Sequence, residues 1–169
     1  EQPLPKHGAC NLASINLSAY VLNPYTQDVT FDYDALTHDM YNIVRAMDDV
    51  LEENLPNHAL PEQREMAEKY RNVGIGVMGI HDMFIKFGFK YGGKQSVVLL
   101  EDIMGIIFRS AVHASVELAS QRGSCPGYDS KIWDSTIIQT TFEKEQIELF
   151  KNVNILRNCS LISVAPCGS

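Results

Sequence analysis

The stretch of residues 95–121 constrains the fold more than any other part of this 169-residue sequence. Apolar and small residues recur there at three- and four-residue steps, which predicts one long amphipathic helix. Its stripe consists of Leu100, Ile103, Met104, Ile107, Ala111, Ala114, Ser115 and Leu118. Glu101, Asp102 and Arg109 interrupt the apolar run and exclude a bilayer span. Gly123 is suited to end the helix.

Two further helices are predicted before this one. Apolar residues of 34–53 form a second stripe, which Asp32 or Asp34 can cap and Pro56 stops. Pro61 suits the first position of a shorter helix through residue 70. The end of the 34–53 helix carries four acids, which are predicted to form a solvated face although they oppose the helix dipole. These acids are Asp48, Asp49, Glu52 and Glu53.

The remaining segments mix strands, turns and short helices. Residues 10–21 predict a short strand leading into a loop, and 72–78 a glycine-punctuated strand or turn before a helix over 80–87. Residues 124–141 show no period and predict an irregular connection, followed by a helix over 142–151. A last strand is predicted over 159–165, ending at Pro166. The fold class that follows is α/β.

Composition excludes several functional classes. The net charge of −7 and the absence of a cluster of Lys and Arg argue against a nucleic-acid or membrane-surface binder. The four cysteines include no Cys-x-x-Cys pair, so neither a disulfide framework nor a metal site is predicted. A reducing cytoplasm is the expected location, with no signal peptide.

A glycine motif from Gly74 to Gly79 fits the G-x-G-x-x-G pattern of dinucleotide-binding proteins. That site requires an apolar strand directly before the first glycine, and here the place is held by Glu-Met-Ala-Glu-Lys-Tyr-Arg-Asn. Close packing of a glycine-rich strand on its neighbours is therefore the favoured interpretation.

The two ends of the chain carry the residue types of a reactive site. A carboxylate, Glu1, and a thiol, Cys10, stand at the start. At the other end, a predicted strand runs into Pro166, Cys167, Gly168 and Ser169, a turn whose backbone N–H groups and hydroxyl suit a phosphate or another anion. The chain starts within a proline-rich turn and stops where a helix is expected, which predicts a segment of a larger domain.

Six stretches, in order along the whole chain, resemble the catalytic domain of ribonucleotide reductase large chains. The first two are Glu1-Gln-Pro-Leu-Pro5 with Gly8-Ala-Cys-Asn-Leu-Ala-Ser-Ile-Asn-Leu17, and Val44-Arg-Ala-Met-Asp48. Next come Arg71-Asn-Val-Gly-Ile-Gly-Val-Met-Gly-Ile-His-Asp82 and Ala114-Ser-Val-Glu-Leu-Ala119. The last are Leu156-Arg-Asn-Cys-Ser-Leu161 and Ala165-Pro-Cys-Gly-Ser169. The pattern is most similar to the adenosylcobalamin-dependent class and related class I chains.

The resemblance implies a role for each candidate residue. Glu1 falls on the glutamate that takes a proton from the ribose 3′-OH, and Cys10 on one member of the reducing cysteine pair. Pro166, Cys167, Gly168 and Ser169 fall on the loop that holds the substrate phosphates. The family usually has threonine where Cys167 stands. Backbone hydrogen bonds to the phosphates would not depend on this difference, whereas a hydrogen bond from the threonine hydroxyl has no equivalent here.

The resemblance also implies a fold, an activity, partners and a cofactor for the whole enzyme. The family fold is a ten-stranded α/β barrel, of which residues 1–169 would form about half, as a single segment incomplete at both ends. The expected activity is reduction of ribonucleotides to 2′-deoxyribonucleotides through a thiyl radical. Expected partners are a ribonucleotide, a thioredoxin-like reductant, the rest of the catalytic subunit and further copies in an oligomer. No cofactor is assigned to this segment, whereas the whole enzyme would use adenosylcobalamin or a radical-generating metal subunit.

Two other functions remain open on the sequence alone. One is a nicotinamide-dependent oxidoreductase that uses the motif from Gly74 to Gly79, which titration with NAD would test. The other is a non-catalytic helical scaffold in which Glu1 and Cys10 are incidental. A large distance between Glu1, Cys10 and Ser169 would favour the scaffold.

Overall fold

A computed structural model describes residues 3–165 of the chain. Its largest feature is a pair of long helices, α1 (Tyr33–Asn54) and α4 (Lys94–Arg122), packed against each other. Their stripes supply the centre of the hydrophobic core, as predicted. The fully buried side chains of these two stripes are Leu36, Met40, Val44, Ile103, Ile107 and Ala111.

The helix ends follow from local chemistry. The Asp32 carboxylate accepts a hydrogen bond from the Ala35 N–H at 2.9 Å, which caps α1. Gly123 ends α4 at a φ of 84°, where a side chain would be strained. Pro61 opens α2 (Pro61–Tyr70), and α3 (Ile80–Phe87) follows. The sequence predictions for these four helices are confirmed within one or two residues.

A small parallel sheet lies beside the long helices. Strands β1 (Asn11–Asn16) and β4 (Val73–Met78) pair in parallel, with Asn11 opposite Val73. Ile162 forms a parallel bridge to Ile75, so β4 lies between β1 and the segment around Ile162. β2 (Val21–Leu22) and β3 (Thr30–Phe31) form a separate antiparallel pair. The predicted strand over 159–165 is thus an extended segment with a single bridge.

The prediction of an irregular connection over 124–141 is wrong for its second half. Residues Ser130–Asp134 form a 3₁₀ helix and α5 (Thr136–Thr141) follows. The fully buried Trp133 anchors them, because its ring stacks on Phe150 at 5.0 Å and its indole N–H donates to the Tyr128 hydroxyl at 2.7 Å. The last helix, α6 (Lys144–Val153), starts after a capping box at Glu143.

Residues 3–165 are therefore mixed α/β and mostly helical, and their strands do not close into a barrel. No helix in this range combines the length and hydropathy needed to cross a bilayer.

Candidate active site

Cys10 directly precedes β1 and is a half-buried thiol. Its sulfur lies where β1, β4 and the extended segment around Ile162 meet. A Cβ placed on Gly74 of β4 would be 3.0 Å from Cys10 Sγ and 2.9 Å from Ser163 Cβ. The side chains of Cys10 and Ser163 therefore approach the same face of β4, one from each flanking segment. The absence of a Cβ at Gly74 is what leaves room for both.

Gly76, two residues further along β4, also admits a close neighbour. A Cβ there would lie 2.6 Å from the backbone oxygen of Ser163. Gly74 and Gly76 thus lie within a strand and admit close neighbours, which confirms the packing interpretation of the glycine motif. A dinucleotide site needs these glycines in the turn between a strand and a helix, and the observed position does not fit that site.

Replacing Gly76 with alanine is expected to lower the free energy of unfolding by about 1–3 kcal/mol, because the new methyl group overlaps a backbone atom that cannot rotate away. Chemical denaturation measures the change. Gly105→Ala is the matched control, since its Cβ would meet only the mobile end of Arg109, at 3.1 Å, and alanine favours the helix. Equal stability of Gly76→Ala and the unchanged chain would contradict the close approach.

Two asparagines of β1 flank this face. The Asn16 side chain accepts a hydrogen bond from the Ser18 N–H at 3.2 Å and caps the turn that follows. Asn11, next to Cys10, has a buried Nδ2 with no hydrogen-bond partner among residues 3–165. Buried amide groups normally have hydrogen-bond partners, and this donor has none within the described residues. The sequence placed Asn11 in a strand but gave no signal that its amide is unpaired.

An ion-pair network lies at the amino-terminal ends of the strands and centres on Asp48 of α1, whose side chain is fully buried. Arg71 contacts Asp48 Oδ1 at 2.7 Å, Arg122 contacts Oδ2 at 2.8 Å, and Arg157 lies 3.2 Å from both oxygens. Glu52 adds a second carboxylate, 2.9 Å from Arg71 and 2.6 Å from Arg157. The prediction that these acids form a solvated face is wrong for Asp48.

The network fixes the two segments that surround Cys10. Arg71 stands two residues before β4, and Arg157 begins the segment that leads to Ser163. Asn158 ties them together, because its side-chain amide donates to the Arg71 carbonyl at 3.0 Å and its N–H donates to the Ser115 hydroxyl at 3.0 Å. Asp48 thereby links the residues that precede β4 to the start of the neighbouring segment.

Burial alone would raise the pKa of Asp48. The hydrogen bonds and charges of Arg71, Arg122 and Arg157 outweigh burial and hold the pKa below its ordinary value. In the unfolded chain the carboxyl has a pKa of about 3.9 and binds a proton more readily than in the folded chain. The stability that Asp48 contributes is therefore complete above about pH 4 and is lost as the pH falls through the folded-state pKa.

The unfolding free energy of the unchanged chain should therefore fall more steeply below about pH 4 than that of Asp48→Asn, which has no carboxyl to protonate. Denaturant titrations at a series of pH values measure the two slopes. Asp49→Asn is the control, because the Asp49 side chain is half-exposed, and it should keep the slope of the unchanged chain. Identical slopes for Asp48→Asn and the unchanged chain would contradict the assignment.

Of the predicted site residues, Cys10 alone falls within the described range. Glu1, Pro166, Cys167, Gly168 and Ser169 lie outside it, and their roles stay predictions. Within residues 3–165, no group of three or more His, Cys, Asp or Glu side chains is placed to hold a metal ion.

Comparison with known proteins identifies the family. The sequence-family model described as the ribonucleotide reductase barrel domain matches residues 1–169. The chain belongs to this family. The matched region is the whole chain, so each stretch that suggested ribonucleotide reductase in the sequence falls inside the match.

Curated ribonucleotide reductases give the same result. A vitamin B12-dependent ribonucleoside-diphosphate reductase of Thermoplasma acidophilum is 31% identical over 169 residues, covering 100% of this chain and 19% of the relative. One from Mycobacterium tuberculosis is 31% identical over 170 residues, covering 100% of this chain and 21% of its own length. The large subunit of an African swine fever virus reductase is 29% identical over 135 residues, or 79% of this chain and 16% of the relative. The chain spans about a fifth of the length of these relatives.

Proposed function

We propose that this chain forms part of a ribonucleotide reductase that converts ribonucleotides to 2′-deoxyribonucleotides by a thiyl-radical mechanism. The observation that carries the proposal is the placement of the Cys10 thiol and Ser163 against the same glycine, Gly74 of β4. The names of the relatives support it, since they are described as ribonucleoside-diphosphate reductases.

Cys10 would supply one of the two thiols that reduce the ribose. Loss of the 2′-OH as water requires two electrons, and two thiols provide them by closing to a disulfide. An external dithiol, thioredoxin-like in chemistry, would then reopen that disulfide by exchange. Glu1 would accept the proton of the 3′-OH, a task suited to a carboxylate in reach of the sugar.

Pro166, Cys167, Gly168 and Ser169 would bind the substrate phosphates through backbone N–H groups. Chain connectivity supports a place near Cys10. Pro166 follows Ser163 by three residues in the sequence, and Ser163 contacts the same face of β4 as Cys10. The Asn11 side-chain amide, which has no hydrogen-bond partner among residues 3–165, would supply a further donor beside Cys10 for a polar substrate.

Residues 1–169 would be one segment of a ten-stranded barrel, and the enzyme would act as an oligomer. We assign no residue of this chain to adenosylcobalamin or to a metal. In the whole enzyme, that cofactor or a metal-containing subunit would generate the radical.

The test is an assay of the full catalytic chain with a ribonucleoside diphosphate, a dithiol and each radical source in turn. Chromatography of the nucleotides should show the 2′-deoxy product, and its formation should stop when the dithiol is left out. Absence of product with every radical source would overturn the proposal. Binding of NAD in a parallel titration would instead favour the nicotinamide-dependent alternative.

A further inference from the structure

Two cysteines that the proposed reaction does not use lie in contact with each other. The sulfur atoms of Cys125 and Cys159 are 3.1 Å apart, and both residues are thiols. Cys125 lies in the loop after α4, and Cys159 in the extended segment that leads to Ser163. The two residues are 34 positions apart in sequence, so the tertiary fold alone brings them together.

Backbone hydrogen bonds on both sides hold this arrangement. The Cys125 N–H donates to the Leu156 carbonyl at 3.1 Å, and the Leu156 N–H donates to the Ser124 hydroxyl at 3.1 Å. The Cys159 N–H donates to the Tyr70 carbonyl at 3.0 Å. Both cysteines are therefore carried by backbone segments that are hydrogen-bonded to their neighbours.

We propose that Cys125 and Cys159 form a reversible disulfide when the protein meets hydrogen peroxide. The pair would be a modification site that joins the end of α4 to the segment before Ser163. Little movement is needed, because the sulfur atoms are already in contact and a bonded pair lies at about 2.05 Å.

The two residues differ in their exposure to solvent. Cys125 is buried, with 2% of its surface exposed, whereas Cys159 is only partly buried. Cys159 also lines a cavity of about 470 Å³, between α4, the 3₁₀ helix and α5. A molecule the size of hydrogen peroxide fits this cavity, so Cys159 meets the oxidant first.

The reaction then runs in two steps. The Cys159 sulfur attacks one peroxide oxygen, the O–O bond breaks, and the departing hydroxide takes the thiol proton and leaves as water. The Cys125 sulfur next attacks the resulting sulfenic acid, the S–S bond forms, and the hydroxyl leaves with the Cys125 proton as a second water. Two thiols lose two electrons and two protons, and one peroxide becomes two waters.

The surroundings suit Cys125 for the second step. Hydrogen bonding from the Cys159 thiol lowers the pKa of Cys125, and the Arg71 charge and nearby backbone N–H groups add to this against the effect of burial. A lowered pKa favours the thiolate, which is the nucleophile in thiol exchange. The hydrogen bond to Cys125 and burial raise the pKa of Cys159. Its place beside the cavity, and not a lowered pKa, is therefore the reason that Cys159 is oxidised first.

The test treats the full, reduced chain with stoichiometric hydrogen peroxide, blocks remaining thiols with N-ethylmaleimide and maps tryptic peptides without reduction. The expected product joins the peptide 123–131 to the peptide that begins at residue 158. Fragmentation must locate the bridge, because the second peptide also contains Cys167. Dithiothreitol should restore both thiols.

Variants separate the two steps. In Cys125→Ser, dimedone should trap a sulfenic acid on Cys159, since the second thiol is missing. In Cys159→Ser, peroxide should oxidise Cys125 at least about tenfold more slowly than it oxidises Cys159 in the unchanged chain, because Cys125 is buried. Cys10→Ser is the matched control and should form the same bridge. Full alkylation of Cys125 and Cys159 after peroxide treatment, or bridges to Cys10 or Cys167 instead, would overturn the proposal.

Discussion

Replacing Asp48 with alanine should lower the free energy of unfolding by about 3–5 kcal/mol, a large fraction of the stability of a typical domain. The change removes the carboxylate that Arg71, Arg122 and Arg157 share. Among residues 3–165, it leaves the buried Arg71 and Arg157 with Glu52 as their one remaining charged partner. Removing one member of a buried ion pair is more costly than the pair's net contribution, because the remaining charge keeps its desolvation cost. Equilibrium denaturation in urea measures the loss.

Asp49→Ala provides the control for this experiment. Asp49 contacts the same Arg122 guanidinium at 2.6 Å, but 52% of its side chain is exposed. Exposed ion pairs contribute little, so the loss should be below about 1 kcal/mol. A similar, small effect of both variants would contradict the central position of Asp48.

Replacing Cys10 with serine in the full catalytic chain should reduce multiple-turnover ribonucleotide reduction at least about a thousandfold, if the proposed function is correct. Serine has nearly the shape of cysteine, so the sheet around Gly74 should keep its structure. Serine cannot form a disulfide, and the two electrons for each turnover then have no source. The measurement is deoxynucleotide formed per enzyme over many turnovers.

Cys125→Ser is the matched control, because it also removes one buried thiol but leaves Cys10 in place. Its activity in the presence of dithiol should remain within about twofold of the unchanged enzyme. Normal turnover by Cys10→Ser would remove Cys10 from the proposed mechanism while leaving the family assignment intact.

The helices could be predicted from the sequence because their determinants are local. The stripes of α1 and α4, the Asp32 cap, Pro61 and Gly123 each act within a few residues of the element they define. The short elements around Trp133 were missed for the opposite reason. They have no repeat of their own and depend on contacts with Phe150 and Tyr128.

The network around Asp48 could not be predicted from charge pattern. Its arginines lie 23, 74 and 109 residues away, and nothing local distinguishes Asp48 from Asp49. A signal was nevertheless present in the resemblance. Asp48 and Arg71 are the end and the start of two matching stretches, and Arg157 lies in a third. These stretches, separate along the chain, meet at one buried group.

The candidate site could be predicted in part. The motif around Cys10 correctly placed a thiol at the start of a strand, and the glycines of β4 were correctly interpreted as packing positions. The meeting of Cys10 with Ser163 required the parallel pairing of segments far apart in sequence. The roles of Glu1 and of Pro166 to Ser169 remain predictions.

The parallel pairing of β1 with β4 also affects how the chain can fold while it is being synthesised. Asn11 and its partner Val73 are separated by 62 positions, which a ribosome adds in about 3–12 s. During that interval the β1 segment has no β4 to pair with, and its unsatisfied edge is open to other chains. A nascent chain that pauses between these two strands therefore exposes a strand segment that lacks its β4 partner.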